Sequence, residues 1–324
     1  MANLSRSGFS RSNAGVALVT VLVIVAIVSM IAVDMAMKQQ LWLSQAQNLK
    51  DRAQADWVDR GAQQYVAMAM DRDRQDTTID DLNETWAVAL PPFKAEGGDV
   101  AIAITDLQGR FNLNSLYQNG KYNTEYGAVF RRLLVVTGIN ANIQDAILDW
   151  MDKDSQARSA GAEDDYYENL TAGYRAANQP LQSVRELLLI KGFTPDMVNK
   201  LGMVATALPR ATAININTAS AEMLAALFNG MSLSEAKEIV SYRQKHPFHN
   251  VSELRKVVPT TYPMPKETLL TTSSEYFLVQ STVHFDQYYK HTLAYLYRPR
   301  GSTPSYYYYH DRPLIRIAEE KANG

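Results

Sequence analysis

The chain has 324 residues, of which 46% are hydrophobic and 20% charged, with a formal net charge of −2 and no cysteine. That balance gives no basic field for a nucleic-acid polymer, and an oxidising compartment would find nothing to cross-link. The apolar fraction is enough to bury real cores, in about two domains.

Residues 16–33 are apolar except for Thr20 and Ser29, and at about 1.5 Å per residue a helix of that length just crosses a bilayer. Residues 1–15 carry Arg6 and Arg11 and no acid, a bias that keeps the N-terminus cytoplasmic and sends the rest of the chain outward. A cleavable secretion signal places its cut site after a shorter apolar core; here Gly15 stands directly before the run. No proline or turn cluster interrupts the pattern from residue 33 to Met70, so the whole reads as one helix of about 50 residues. In its second half Leu41, Ala46, Leu49, Ala53, Trp57, Tyr65 and Met68 make a broken apolar stripe, expected to lie on a soluble domain.

A short basic leader ending in glycine, an apolar segment and a continuous amphipathic helix resemble the N-terminus of type IV pilins and type II secretion pseudopilins. The resemblance implies that a prepilin peptidase cuts after Gly15 and that the new N-terminus, Val16, is methylated. In that family the fifth mature position is usually glutamate, which meets the N-terminus of the preceding subunit; this chain has Thr20 there. An uncleaved signal anchor is the alternative reading of the segment.

Further along, "GGDVAIAITDLQGRFNLNSL" alternates at Val100, Ile102 and Ile104 and breaks at "LQGR", as a strand, a turn and a second short strand would. Near the far end, "SSEYFLVQSTVHFDQYYKHTLAYLYRPR" alternates again with β-branched and aromatic residues, and "RPLIRIAEE" is expected to add one more strand. The residues between read as helices and loops, so the economical arrangement is a helical domain inserted between strands of one sheet. Four segments of the insert form a weak repeat of apolar helices paired across a turn: "RLLVVTGINANIQDAILDW", "ELLLIKGFTPDMVNKL", "MLAALFNGMSLSEAKEIVSY" and "ELRKVVPTTYPMPKETLL". In three of them Gly138, Gly192 and Gly230 are placed to end a helix.

The acidic stretch "DAILDWMDKDSQARSAGAEDDYYENL" holds Asp145, Asp149, Asp152, Asp154, Glu163, Asp164, Asp165 and Glu168 against Lys153 and Arg158. Clustered carboxylates on a loop suit Ca²⁺, which takes six to eight oxygens in flexible geometry. Counted from Asp152 as position one, Asp154 is third and Glu163 twelfth, the carboxylate spacing of a helix-loop-helix calcium site, but position six is Ala157 where glycine is standard. Asp152, Asp154, Glu163, Asp164 and Asp165 are the candidate ligands. A solvated acidic loop and a catalytic carboxylate pair are the other readings.

The segment beginning "ININTASAEMLAALFNGMSLSEAKEIVSYRQKHPF" resembles the helix-hairpin-helix module of many DNA-binding proteins. Residues 214–258 carry Lys237, Arg243, Lys245, Arg255 and Lys256 against Glu222, Glu235, Glu238 and Glu253. With no basic stripe to neutralise phosphates, the hairpins read as structural and no nucleic acid is expected as a partner. His246 and His249 lack the neighbours of a zinc set. Neither a glycine-rich phosphate loop nor a G-x-S-x-G elbow is present, so no enzyme is expected. The tyrosine run at residues 306–309 is expected to form an exposed loop.

Taken together, the pilin-like helix without the fifth-position glutamate, "GRFNLN", an acidic loop ending in "AANQPL", and "ININTAS" before a hairpin are similar to the general secretion pathway protein K family, the large minor pseudopilin of type II secretion. The resemblance implies an α+β fold: a pilin-like N-terminal helix packed on a small antiparallel sheet, with a large helical domain inserted between strands. It divides the chain into a leader (1–15), the helix (16–70), the first part of the sheet (71–120), the insert (121–272) and the second part of the sheet with the tail (273–324). It also implies two bound calcium ions. Its expected partners are two other minor pseudopilins, I-type and J-type, in a tip complex, together with the major pseudopilin and the prepilin peptidase. The chain is expected to cross the bacterial inner membrane once, with its C-terminal domain in the periplasm. A tip subunit has no neighbour above whose amine needs an acid, so Thr20 is tolerable, and the bulky insert would block docking from above. A minor tip pilin of a type IV pilus or DNA-uptake system is the alternative.

Overall fold

The computed structural model describes residues 13–88, 92–95, 98–285 and 288–311. Most of the expected leader and the strand expected at residues 312–320 lie outside the described residues. The first element, helix α1, runs over Asn13–Asp76. Residues 16–33 are exposed along it, and its mean hydropathy there suits a membrane-crossing segment. The stripe expected to pack on the soluble domain instead faces outward: Leu41, Leu49, Trp57, Tyr65 and Met68 are all more than half exposed, and Ala46 and Ala53 are exposed with them. The buried face is Ala55, Asp59, Ala62, Gln63, Val66 and Met70. Hydrophobic patterning points to the wrong side because this face carries two polar residues, and both are used. Asp59 accepts from Thr292 Oγ1 at 2.8 Å and from Ser281, and lies 3.3 Å from Lys290 Nζ. Gln63 donates its side-chain amide to Asp59 Oδ1 at 3.3 Å, and its backbone carbonyl accepts from Tyr306 at 2.8 Å.

Following the chain, α1 leads to β1 (Phe93–Ala95) and β2 (Gly98–Asp106). The helical part then holds β3 (Phe111–Asn112), β4 (Tyr117–Gln118), β5 (Lys121–Tyr122), α2 (Thr124–Val136), α3 (Gln144–Met151), α4 (Asp164–Glu168), α5 (Pro195–Val204), β6 (Ala205–Thr206), β7 (Ile214–Asn215), α6 (Ala221–Leu227), α7 (Leu233–Lys245) and β8 (Leu270–Thr271). The chain returns in β9 (Tyr276–Phe285), β10 (Tyr288–Tyr297) and β11 (Ser305–Asp311). Among the described residues the main sheet has the order β1-β2-β9-β10-β11, with every neighbouring pair antiparallel. The helical part is thus spliced between β2 and β9, which are paired side by side. The tyrosine run is not a loop: it forms β11, because aromatic residues suit a strand and the run pairs with β10 across a register shift between Tyr295 and Leu296.

The helical part begins at β3, ahead of the expected Lys121, since Phe111 and Asn112 pair in parallel with Ala205 and Thr206 and not with the sheet. It contains two units of one plan. In the first, Asn112 Oδ1 accepts the Asn114 N–H at 3.1 Å, and the Asn114 amide clasps the backbone of Leu181 at 2.9 and 2.8 Å. In the second, Asn215 Oδ1 accepts the Asn217 N–H at 3.0 Å, and Asn217 clasps Phe248 at 2.9 Å in both directions. Each unit closes on a short parallel strand pair, β3 with β6 and β7 with β8. One continuous core, from Phe111 to Leu270, unites them. Gly138, Gly192 and Gly230 adopt φ of +73°, +85° and +84°, which ends their helices as expected. The fourth expected hairpin is two 3-10 turns and no α-helix.

A buried polar hub fixes the helical part to the sheet. Asp106 at the end of β2 accepts from Gln108 N–H, Asn215 Nδ2, Thr218 Oγ1 and Ser274 Oγ, all at 2.5–3.0 Å. Beside it Arg298, 1% exposed, donates to the carbonyls of Met70 and Ser274 and to the carboxylates of Asp73 and Asp80. Four satisfied donors on a buried carboxylate make such a hub rigid.

Candidate cation site and membrane anchor

The acidic stretch folds around the end of α3. Asp149 lies on its last turn, Asp152 caps its C-terminus in an extended conformation, and Glu163 precedes α4. Carboxylate oxygens of Asp152, Asp154 and Glu163 lie within 4.8 Å of one another, with Asp152 and Glu163 buried and Asp154 exposed. An ion with ligands at 2.3–2.6 Å places opposite oxygens about 5 Å apart, so this spacing fits Ca²⁺. The stronger test is what the oxygens lack. Asp152 Oδ1 and Glu163 Oε1 are buried and accept no hydrogen bond among the described residues, a state that is expensive unless something positive meets them.

Electrostatics agree. Burial first, and then the negative charges of Asp149, Asp152, Asp154 and Asp164, push the Glu163 carboxyl up to about 7. Burial also raises Asp152, against the pull of Arg158. The aromatic rings of α3 and α4 pack together, Trp150 edge-on to Tyr167 at 5.1 Å and Tyr167 stacked on Tyr174 at 5.5 Å. Gly161 is obligatory, because a Cβ there would run into the Asp149 carboxylate. Its carbonyl accepts from Lys191 Nζ at 2.9 Å.

Of the five candidate ligands, three come together and two do not. Asp164 turns its Oδ1 to the Ala176 N–H at 2.9 Å, and Asp165 faces solvent on α4. The first turn of a short helix sends consecutive residues in different directions, so only its preceding residue, Glu163, reaches the loop. Ala157 is exposed and makes no positive-φ turn; the loop is not the standard helix-loop-helix calcium turn. Asp149 and Arg158, counted in the acidic stretch but not among the candidate ligands, also join the cluster. The signal was an arginine embedded among acids, together with an aspartate one turn before the helix end.

A second acidic group, Asp73, Asp80 and Glu84, has a different character. Arg298 supplies its positive charge, and Glu84 accepts from Thr77 Oγ1, the Asp81 N–H and Trp86 Nε1 at 2.7–3.0 Å. No carboxylate oxygen of this group is buried and unpartnered among the described residues.

At the hairpin of the second unit, Ser232 caps α7 and Glu235 returns its carboxylate to the Ser232 N–H at 2.9 Å. This capping box places negative charge where a phosphate would have to dock. Among the described residues no ion-binding group includes a histidine; His246 stacks on Tyr242 at 4.9 Å.

On the anchor, Gly15 and Val16 lie in the exposed first turns of α1. Thr20 Oγ1 donates to the Val16 carbonyl at 2.8 Å, so its polar group is satisfied within its own helix, as lipid requires.

Two family models described as type II secretion system protein K match this chain, at residues 109–210 and 214–261. A protein K of Pseudomonas aeruginosa is 33% identical over 285 residues, covering 84% of this chain and 85% of the relative. One from Klebsiella pneumoniae is 34% identical over 243 residues, covering 71% and 74%. The crystal structure of the GspK-GspI-GspJ complex from the enterotoxigenic Escherichia coli type 2 secretion system contains a chain of the same fold, with a TM-score of 0.68 at 20% identity, covering 83% of this chain and 100% of that one.

Proposed function

The chain belongs to the type II secretion system protein K family, a structural component of the secretion apparatus, and on that premise we propose that it is the minor pseudopilin at the pseudopilus tip, assembling there with an I-type and a J-type minor pseudopilin to start and cap the filament. The observation that carries this reading is the outward face of α1. Leu49, Trp57, Tyr65 and Met68 stay exposed along a helix whose opposite side is already committed to the sheet, and large apolar side chains left in a row on a helix are a surface for other helices. The helical part, spliced between β2 and β9, adds the bulk that bars a further subunit from above. The satisfied Thr20 hydroxyl asks nothing of a neighbour's amine.

In this account the prepilin peptidase cuts after Gly15 and methylates Val16. The helix then anchors the chain in the inner membrane, with the head in the periplasm and the major pseudopilin below it. The protein works by assembly and catalyses no reaction. The decisive experiment is co-purification of the chain with candidate I-type and J-type subunits: a stable ternary complex is expected, and migration of the chain alone would reject the assignment.

We further propose that Asp152, Asp154 and Glu163 hold a structural calcium ion. The unpartnered buried oxygens support it, and bound calcium would neutralise the repulsion and tie the loop to α3. A rise in melting temperature with calcium over chelator is expected; equal values would reject the site.

A further inference from the structure

We propose that Arg158 is the internal counter-ion of this site, occupying in the calcium-free chain carboxylate oxygens that the cation takes over when it enters. The inference rests on the calcium reading above and deepens it.

Arg158 Nη1 lies 2.5 Å from Asp149 Oδ1 and 2.6 Å from Asp152 Oδ2. Both carboxylates are fully buried, so a single guanidinium nitrogen bridges two charges that have no solvent to share. One positive charge against Asp149, Asp152, Asp154 and Glu163 leaves the cluster under-neutralised, and the deficit falls on the two oxygens without a donor, Asp152 Oδ1 and Glu163 Oε1. The same Asp152 carboxylate therefore faces the guanidinium with one oxygen and the open side of the cluster with the other. A divalent ion entering there must displace the guanidinium from Asp152 or, if the guanidinium stays, bind beside a like charge, and either one weakens its binding in a partly desolvated site.

Two features let Arg158 leave. Its side chain is 30% exposed, so the guanidinium can swing into water without unpacking a core. Its backbone N–H separately donates to Asp149 Oδ2 at 2.9 Å, so the loop remains attached to α3 when the side chain departs. Arg298 shows the contrast. It bridges Asp73 and Asp80 in the other acidic group, but at 1% exposure and with two carbonyls also bound it has no route out. An exchangeable arginine and a fixed one separate a site that can trade its cation from a cluster that cannot.

The test titrates calcium chloride calorimetrically into the full chain in detergent, comparing wild type with Arg158→Gln and Arg158→Lys, and records melting temperatures in calcium and in chelator. Removing the charge in Arg158→Gln is expected to tighten calcium binding roughly tenfold and to lower the melting temperature in chelator, while the calcium-loaded temperature stays at the wild-type value. Arg158→Lys keeps the charge and is expected to bind like wild type. Should Arg158→Gln stay folded only with calcium, chelator competition on the loaded protein gives its affinity. Unchanged or weaker binding by Arg158→Gln, beside a wild type that binds, overturns the counter-ion role and leaves the calcium site standing. A wild type with neither heat nor thermal shift overturns the calcium reading, and this inference with it.

Discussion

The two units of the helical part share a plan down to single hydrogen bonds, and the connection before their common motif sets them apart. After its asparagine pair and helices, the first unit reaches "PLQSVREL" at residues 180–187, and the second reaches "PFHNVSEL" at 247–254. In each the glutamate accepts the N–H four residues earlier at 2.8 Å, Gln182 to Glu186 and His249 to Glu253. The following leucines, Leu187 and Leu254, are both fully buried. Between α7 and this motif the second unit spends His246 alone, whereas between α3 and it the first spends residues 152–179, the acidic loop with α4 inside it. The scaffold is therefore complete without the loop. What the first unit adds is chemistry: carboxylates gathered over a helix end, with the guanidinium of Arg158 held among them.

If the units are equivalent, breaking either clasp should do equal harm. Asn114→Ala strands the Leu181 amide and carbonyl together with the Leu208 carbonyl, and Asn217→Ala strands the amide and carbonyl of Phe248. Buried groups left without partners are expected to cost about 3 kcal/mol in each case, measured by denaturant unfolding. A difference of more than twofold between the two variants would refute the equivalence.

The units should part company when calcium is added. Asp152→Ala with Asp154→Ala is expected to abolish calcium stabilisation, about 2.7 kcal/mol at a hundredfold excess over Kd, while Glu235→Ala in the second unit leaves it intact. Thermal unfolding with calcium and with chelator reads both. Loss of the calcium response in the Glu235 variant would place the ion elsewhere.

A smaller effect follows from Glu163. Its folded-state carboxyl is raised to about 7 from an ordinary value near 4.5, so without calcium it adds stability below the unfolded value and loses it as the pH climbs toward 7. The calcium-free protein should therefore melt lower at pH 8 than at pH 5, and a saturating cation should flatten that part of the slope. A melting temperature that rises with pH in chelator would show that another group governs the loop.

Much of this was legible in the sequence, for reasons that individual residues make clear. The anchor, the strands and the glycine-ended helices follow from apolar period and backbone freedom, which act locally. The acidic loop was legible as charge, but which of its side chains come together was not, because α4 turns Asp164 and Asp165 away from Glu163 while the tertiary fold brings in Asp149 and Arg158. The packing face of α1 was assigned to the wrong side, since Asp59 and Gln63 are polar and their partners, Ser281, Thr292 and Tyr306, lie more than 200 residues away. The unit repeat was only faintly visible, because the inserted loop breaks its spacing.

A tip subunit stands at the end of the filament and nowhere else, and immunogold labelling of the head domain on pseudopili from cells overproducing the major subunit reads that position. Gold at one end of each labelled filament is the expected result, and gold distributed along the shaft would contradict it.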